Sequence, residues 1–132
     1  MSLRGQMKTS YREDIYNYVQ TKYNSKIEYL WARFPRYAVF RHNDNNKWYG
    51  IIMNVSYQKL GINKDGEVDI LNVKLDDWLL RDLLVKREGI LPGYHISRGN
   101  WISILLDGTI EVEQIYELID EGFKATASKT KK

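Results

Sequence analysis

The sequence contains no cysteine among its 132 residues, so disulfides, thiolate metal sites and cysteine nucleophiles are all excluded. It has two prolines and two histidines. No apolar run approaches the ~20 residues that a membrane-spanning helix needs. The first residues lack the ~7–15-residue apolar core of a signal peptide. We therefore expect a cytoplasmic protein that does not enter a membrane.

Recognisable catalytic motifs are also missing. There is no glycine-rich loop with P-loop or Rossmann spacing, and no serine or threonine lies in a nucleophile-elbow pattern. His42 and His95 could meet across a sheet and bind a metal ion together with a carboxylate, although no short-range ligand motif accompanies them. The residues predict no enzyme, no cofactor and no metal site. A small-molecule or metal-dependent activity at the two histidines is kept as a third alternative.

The net charge of +3 is unevenly distributed along the chain. Residues 124–132 hold four lysines and no acid, and without these lysines the chain has 16 basic and 17 acidic residues. Residues 1–41 carry eight basic and three acidic residues, whereas residues 107–121 carry six acidic residues and no basic one. This polarity is compatible with an anionic partner at one end of the molecule, or with ordinary solvated faces.

Hydrophobic periodicity and turn residues predict eight secondary-structure elements. Apolar residues at every fourth position from Tyr11 to Tyr23 predict a first helix. Alternation predicts strands over 37–42, 47–57 and 67–75. A second helix is predicted from Asp76 or Asp77 to about residue 88, followed by an extended piece near 94–97, a strand over 101–107 and a final helix from Glu111.

The order of these elements is α-β-β-β-α-β-β-α, and the short turns between strands predict an antiparallel arrangement. We expect a two-layer α+β fold with a five-stranded sheet whose second face is partly open. A single domain is predicted over residues 8–124, followed by a flexible basic tail over 125–132. Trp78 and Trp101 are expected in the core, with a core face on the second helix formed by Leu79, Leu80, Leu83 and Leu84.

Cationic and aromatic side chains alternate in the first half of the chain. Arg41 and Lys47 stand among aromatic residues that include Tyr49. Lys74, His95 and Arg98 would join them if their strands are neighbours. Cations next to aromatic faces are suited to phosphate contact and base stacking. Alternatively, the aromatic residues form the core and the cations keep the edges soluble.

Several short motifs together resemble those of the YjbR/MmcQ family of small bacterial proteins. The motifs are Lys47-Trp48-Tyr49, Val73-Lys74-Leu75, Leu91-Pro92-Gly93-Tyr94-His95, Asn100-Trp101-Ile102 and Leu106-Asp107-Gly108-Thr109. The resemblance covers nearly the whole chain and implies the same element order, in a fold related to secretion chaperones and compared with the frataxin-like CyaY. Family members are commonly labelled DNA-binding, a label that rests on structural analogy.

By position, the resemblance makes Lys74 the family's sheet lysine, His95 its PGYH-type histidine and Lys47 its hairpin lysine. The chain departs from the family where Ile96-Ser97-Arg98 replaces a segment with Asn-Lys, which moves the cation one place further on. It also has Gly122-Phe123 where the family usually has Ser-Tyr. A glycine costs about 1 kcal/mol inside a helix, so we expect the last helix to end or kink there.

These observations favour a non-enzymatic binding module for DNA or another nucleic acid. The residues predicted to form the binding surface are Arg41, Lys47, Tyr49, Lys74, Tyr94, His95 and Arg98. The cations would contact phosphates, and Tyr49 or Tyr94 would stack on bases. The alternative is a protein-interaction or chaperone-like module that uses an open sheet face or forms a homodimer.

Overall fold

The computed structural model describes residues 10–94 and 100–127, which form three helices and six strands. Helices α1 to α3 span Arg12–Tyr23, Trp78–Leu84 and Val112–Thr126. Strands β1 to β6 span Ile27–Glu28, Ala38–Arg41, Trp48–Ser56, Glu67–Lys74, Ile90–Pro92 and Trp101–Leu105. A single 3-10 turn at Gln58–Leu60 follows β3. The predicted α+β class is confirmed. None of the helices in the described part of the chain is long and apolar enough to cross a membrane.

All six strands belong to one antiparallel sheet in the order β1-β2-β3-β4-β6-β5. The prediction of five strands was wrong by one, because the aromatic-rich segment before Pro35 begins with the two-residue strand β1, which pairs with β2. The fifth strand also starts earlier than expected. Gly89 has a positive φ of 96° and its carbonyl accepts from Leu105 N at 2.8 Å, so the chain reverses before Ile90 and pairs there with β6.

Helices α1 and α3 cover one face of the sheet, which we call the helix face. Ile15 and Val19 of α1 and Ile115 and Ile119 of α3 are completely buried against strand residues such as Leu71. Ile15 and Val19 belong to the every-fourth-residue pattern that predicted the first helix, and each buried side chain contributes roughly 1.5–3 kcal/mol. The two-layer arrangement is thereby confirmed.

Gly122 allows α3 to approach the sheet closely. A Cβ at this position would lie 3.1 Å from the carbonyl oxygen of Tyr49 and 3.1 Å from Cβ of Val73. The helix continues through Gly122 to Thr126, so the expected end of the helix at this glycine was wrong. The missing side chain is compensated by packing of the helix backbone on β3 and β4.

A carboxylate joins α1 to α3. Asp120 accepts hydrogen bonds from Tyr18 Oη at 2.8 Å, Tyr23 Oη at 2.6 Å and Lys22 Nζ at 2.9 Å. The ring of Tyr23 also stacks on Phe123 with centroids 3.7 Å apart. Partial burial raises the pKa of Asp120, but the three hydrogen bonds outweigh it and hold the pKa below its ordinary value.

A buried ion pair joins α1 to β4. Arg12 Nη2 lies 2.8 Å from Asp69 Oδ1 and its Nε lies 3.1 Å from Oδ2, so the pair is bidentate. Ser10 Oγ donates to the same carboxylate at 2.7 Å. Arg12 Nη1 also donates to the Arg36 carbonyl at 2.6 Å. The pair therefore anchors the loop before β2 as well as the helix.

Helix α2 is shorter and less buried than predicted. Asp77 caps it by accepting from Leu79 N at 2.9 Å, as the sequence suggested, but the helix ends at Leu84 rather than near residue 88. Leu84 is buried and Leu80 packs partly against the core, whereas Leu79, Leu83 and Trp78 are exposed. A helix that rests on the sheet through positions 80 and 84 turns 79 and 83 away from it, because neighbouring residues are offset by about 100°. The predicted core positions of Trp78, Leu79 and Leu83 were wrong, and Trp101 is only partly buried.

The second face of the sheet, which we call the open face, carries another apolar cluster. Its side chains come from strands, loops and the 3-10 turn rather than from α1, α2 or α3. Ile51, Met53 and Val55 of β3 lie at its centre. The alternation of β3 and β4 predicted this division, with Ile70 on the open face and Leu71 on the helix face.

Candidate functional site

A cleft with a volume of about 540 Å³ lies on the open face of the sheet. Its floor is apolar, and Asn54, Lys59 and Glu67 lie at its rim. We call it the aromatic cleft after the five aromatic side chains that line it. They are Trp31, Phe34, Tyr37, Trp48 and Tyr94.

The aromatic walls support one another. Trp31 meets Tyr37 edge-on at 5.9 Å and Trp48 edge-on at 5.7 Å, while Phe34 stacks on Tyr37 at 4.6 Å. Such pairs add roughly 0.5–1.5 kcal/mol beyond their burial. Phe34 remains 46% exposed, so it still offers surface to a ligand. The cleft is therefore a preformed aromatic surface with apolar floor residues beneath it.

The loop between β1 and β2 positions three of these rings, those of Trp31, Phe34 and Tyr37. Phe34 N donates to the Trp31 carbonyl at 3.1 Å, and Tyr37 N donates to the Phe34 carbonyl at 3.0 Å. Arg12 fixes the same loop through the Arg36 carbonyl. Two consecutive turns and one buried guanidinium thus hold the rings without a regular strand.

Tyr94 is held on the opposite side of the cleft by a buried polar chain. Its backbone N donates to Ser103 Oγ at 2.8 Å, and Ser103 Oγ donates in turn to Asn72 Oδ1. Asn72 Nδ2 lies 3.2 Å from the sulfur of Met53, in the cleft floor. Ser103 and Asn72 are completely buried. The two side chains satisfy each other's polar groups through this hydrogen bond, and Ser103 orients the segment that carries Tyr94.

Three of the predicted cations come together at one end of the sheet. Arg41 is opposite Trp48, and Lys74 is opposite Trp101, so these positions lie at the same end of β2 and β4, which are separated by β3. Lys47 is exposed in the turn that precedes β3. We call Arg41, Lys47 and Lys74 the basic end of the sheet.

Arg41 connects the basic end to the aromatic cleft. Its guanidinium lies 5.7 Å from the ring centroid of Trp48, which is a cleft wall. Nε of Arg41 also donates to Glu28 Oε1 at 3.1 Å, and Nη1 donates to the Asn46 carbonyl at 3.2 Å. The charge is therefore fixed in position beside the rings and partly offset by one carboxylate.

The predicted surface is thus assembled only in part. Arg41, Lys47 and Lys74 share one sheet end, and Tyr94 lines the cleft. Tyr49 was assigned wrongly as a stacking surface, because it is completely buried on the helix face, where its hydroxyl hydrogen-bonds to Ser25 Oγ. Burial raises the pKa of Tyr49 to about 12.

Two predicted site residues fall outside the described residues, and several residues of the cleft were not predicted. His95 and Arg98 fall within residues 95–99, outside the described part. Glu67 and Lys59 were missed as rim residues, since nothing in their local sequence distinguishes them from other surface charges. Trp31, Phe34 and Tyr37 belong to the aromatic residues that alternate with cations in the first half of the chain, and this alternation was the available signal for them.

His42 is enclosed on the helix face. It is 3% exposed, its Nε2 lies 2.7 Å from Thr126 Oγ1, and its ring packs 4.1 Å from that of Phe123. Burial lowers the pKa of His42. Within residues 10–94 and 100–127 no group of three or more His, Asp or Glu side chains is arranged to hold a metal ion.

Comparisons with known proteins agree with this architecture. The uncharacterised protein YyaQ of Bacillus subtilis (strain 168) is 47% identical over 115 residues, covering 87% of this chain and 97% of YyaQ. A crystal structure of a Pseudomonas syringae protein matches with a TM-score of 0.83 at 40% identity, covering 88% of this chain and 98% of that one. A Deinococcus radiodurans crystal structure shares the fold, with a TM-score of 0.68 at 20% identity, covering 94% and 84% of the two chains. The family model described as YjbR matches residues 20–125, and the chain therefore belongs to the YjbR family.

Proposed function

We propose that this protein binds single-stranded nucleic acid across the open face of its sheet. Bases stack in the aromatic cleft, and backbone phosphates contact the basic end. The observation that carries this proposal is the Arg41 guanidinium 5.7 Å from Trp48, which joins a cationic surface to an aromatic one. Base stacking next to fixed positive charge is the combination that single-strand binders use.

The shape and the charge of the site favour a single strand over a duplex. An apolar concave floor accepts an unstacked base, whereas the bases of a duplex are stacked and present only their edges in the grooves. The basic end supplies three cations, and the chain without its last nine residues is close to neutral. A few phosphate contacts combined with stacking should therefore dominate the binding free energy.

The first test is a salt titration of binding to labelled single- and double-stranded DNA, followed by fluorescence anisotropy. Three phosphate contacts predict a slope of log K against log[salt] near −2 for a single strand. Affinity should then fall about 20-fold between roughly 50 and 200 mM salt. Binding to the duplex should be weaker at each salt concentration. Absence of single-strand binding at the lowest salt concentration would refute the proposal.

Matched variants separate stacking from charge. Phe34→Leu removes an exposed ring and should weaken binding about tenfold, within the ~1–3 kcal/mol that stacking of one base contributes, whereas Phe34→Tyr keeps the ring and should bind like the wild type. Lys74→Glu should weaken binding and make the salt slope shallower by about 0.7. Lys124→Glu makes the same charge change on α3, where the side chain is 71% exposed, and serves as the control.

The alternative function is binding of an apolar protein segment in the same cleft. Phe34 in the cleft is 46% exposed, and Tyr29 and Leu30, which precede the cleft residue Trp31 in the chain, are 56% and 42% exposed. Such binding would depend little on salt, and Phe34→Leu would weaken it while Lys74→Glu would not. A random peptide array probed with both variants distinguishes this function from nucleic-acid binding.

A further inference from the structure

Helix α2 presents three large apolar side chains to solvent on the helix-bearing side of the molecule. Trp78, Leu79 and Leu83 are 62%, 55% and 57% exposed. We call them the α2 patch. Leu80 and Leu84 of α2, and Val85 directly after it, face the core instead, so α2 carries apolar side chains both toward the core and toward solvent. Monomeric proteins rarely expose such clusters without a binding role.

We propose that the α2 patch is the centre of a two-fold homodimer interface in which α2 packs antiparallel against α2 of a second copy. Leu79 and Leu83 are placed symmetrically about position 81. A two-fold axis at that point therefore packs Leu79 of one copy against Leu83 of the other, and the reverse. This leaves Trp78 at the flank of each pair, where its large ring covers the two leucines.

The charges at the ends of α2 have the same symmetry. Asp76 precedes the helix and Lys86 follows it, and both are exposed. Antiparallel packing of α2 on its copy places the segment before one helix beside the segment after the other, and so brings Asp76 of one copy near Lys86 of the other. A self-complementary arrangement of this kind matches a second copy of the chain better than a partner of uniform charge.

The exposed area fits the core of an interface with a charged rim. Trp78 at 62% exposure presents roughly 150 Å² if its full surface is near 250 Å². The two leucines add about as much again, whereas a standard interface buries about 800 Å² per partner. The α2 patch therefore accounts for the apolar centre, and the charged residues flanking α2 supply the polar rim that such an interface needs.

Sedimentation equilibrium of the full chain between about 1 and 200 μM measures the proposed association. The wild type should show a monomer–dimer equilibrium, and Leu83→Glu should be monomeric throughout. Asp76→Lys and Lys86→Glu should each weaken the dimer about tenfold, because each places like charges opposite one another twice. Circular dichroism and urea unfolding verify that each variant remains folded.

The double variant Asp76→Lys/Lys86→Glu is the decisive measurement. It exchanges the two charges and leaves the net charge unchanged, so it should restore the wild-type dissociation constant if the two residues meet across the axis. Failure of this restoration would refute the proposed register. A wild type that stays monomeric at about 200 μM, or a dimer unaffected by Leu83→Glu, would overturn the interface itself and leave the α2 patch to a different protein.

Discussion

Removing the charge of Asp69 is the perturbation with the largest expected effect on stability. The side chains of Arg12 and Asp69 are only 10% and 6% exposed, and they make two hydrogen bonds to each other. Loss of one partner from a buried pair typically costs 3–5 kcal/mol. An asparagine side chain at this position would keep one acceptor oxygen, and Arg12 would keep its contacts with Tyr16 and the Arg36 carbonyl. We therefore expect Asp69→Asn to lower the free energy of unfolding by about 3 kcal/mol.

A double-mutant cycle in urea at pH 7 tests this expectation. Arg12→Met should cost about as much as Asp69→Asn, because it leaves the carboxylate with Ser10 and the exposed Arg36 alone. The double variant should lose little more than either single variant, giving a coupling energy of about 2–3 kcal/mol. Glu121→Gln removes a carboxylate from a solvent-exposed ion pair with Lys124 and should change stability by less than about 0.5 kcal/mol. Single variants that each cost under about 1 kcal/mol would refute the account of the buried pair.

The same pair determines part of the pH dependence of folding. Burial raises the pKa of Asp69, but the hydrogen bonds from Arg12 and Ser10 outweigh it and keep the pKa below its ordinary value. A depressed folded-state pKa contributes stability that is complete above the unfolded value near ~3.9 and disappears as the pH falls through the folded value. The stability difference between the wild type and Asp69→Asn should therefore shrink as the pH falls from about 4 to 2. A difference that stays constant down to pH ~2 would contradict the shift.

Two further predictions concern α3. Gly122→Ala should lower the unfolding free energy by about 1–2 kcal/mol in urea, since crowding against Tyr49 and Val73 outweighs the ~1 kcal/mol gain in helix propensity. A more stable variant would show that α3 can move away from the sheet at no cost. Asp120→Asn should cost about 1 kcal/mol through its weaker hydrogen bonds with Tyr18 and Tyr23. Because the pKa of Asp120 is also lowered, this cost should shrink as the pH falls below the unfolded value near ~3.9, and a cost that stays constant in acid urea titrations would argue against the charge-assisted bonds.

Elements with a clear period were predictable from the sequence. Ile15, Val19, Ile115 and Ile119 recur at helical spacing, and the helix face of the sheet buries all four. The division of β4 into two faces also followed from alternation, because each strand residue points to the side opposite its neighbour. Local patterns of this kind need no information about distant parts of the chain.

Features that depend on tertiary contacts were not predictable in this way. Tyr49 has the strand propensity and the cationic neighbours of a binding residue, yet a β-bulge between the Phe40–Gly50 and Arg41–Trp48 pairs turns it to the helix face and complete burial. Gly122 looked like a helix breaker because the local sequence does not show that α3 approaches β3 and β4 closely at this position. The two-residue strand β1 is too short to show alternation, and only its pairing with β2 defines it.

The aromatic cleft and the α2 patch lie on different sides of the sheet, whereas Lys74 of the basic end precedes Asp76 of the proposed dimer rim by only two residues. The α2 patch belongs to a helix that packs on the helix face through Leu80 and Leu84, whereas the aromatic cleft belongs to the open face. A dimer formed through α2 would leave both clefts accessible. It would also tether two clefts, so a strand long enough to reach both would bind the second at a raised effective concentration. Few phosphate contacts per chain are then sufficient for tight binding, which reconciles a nearly neutral domain with a polyanionic ligand.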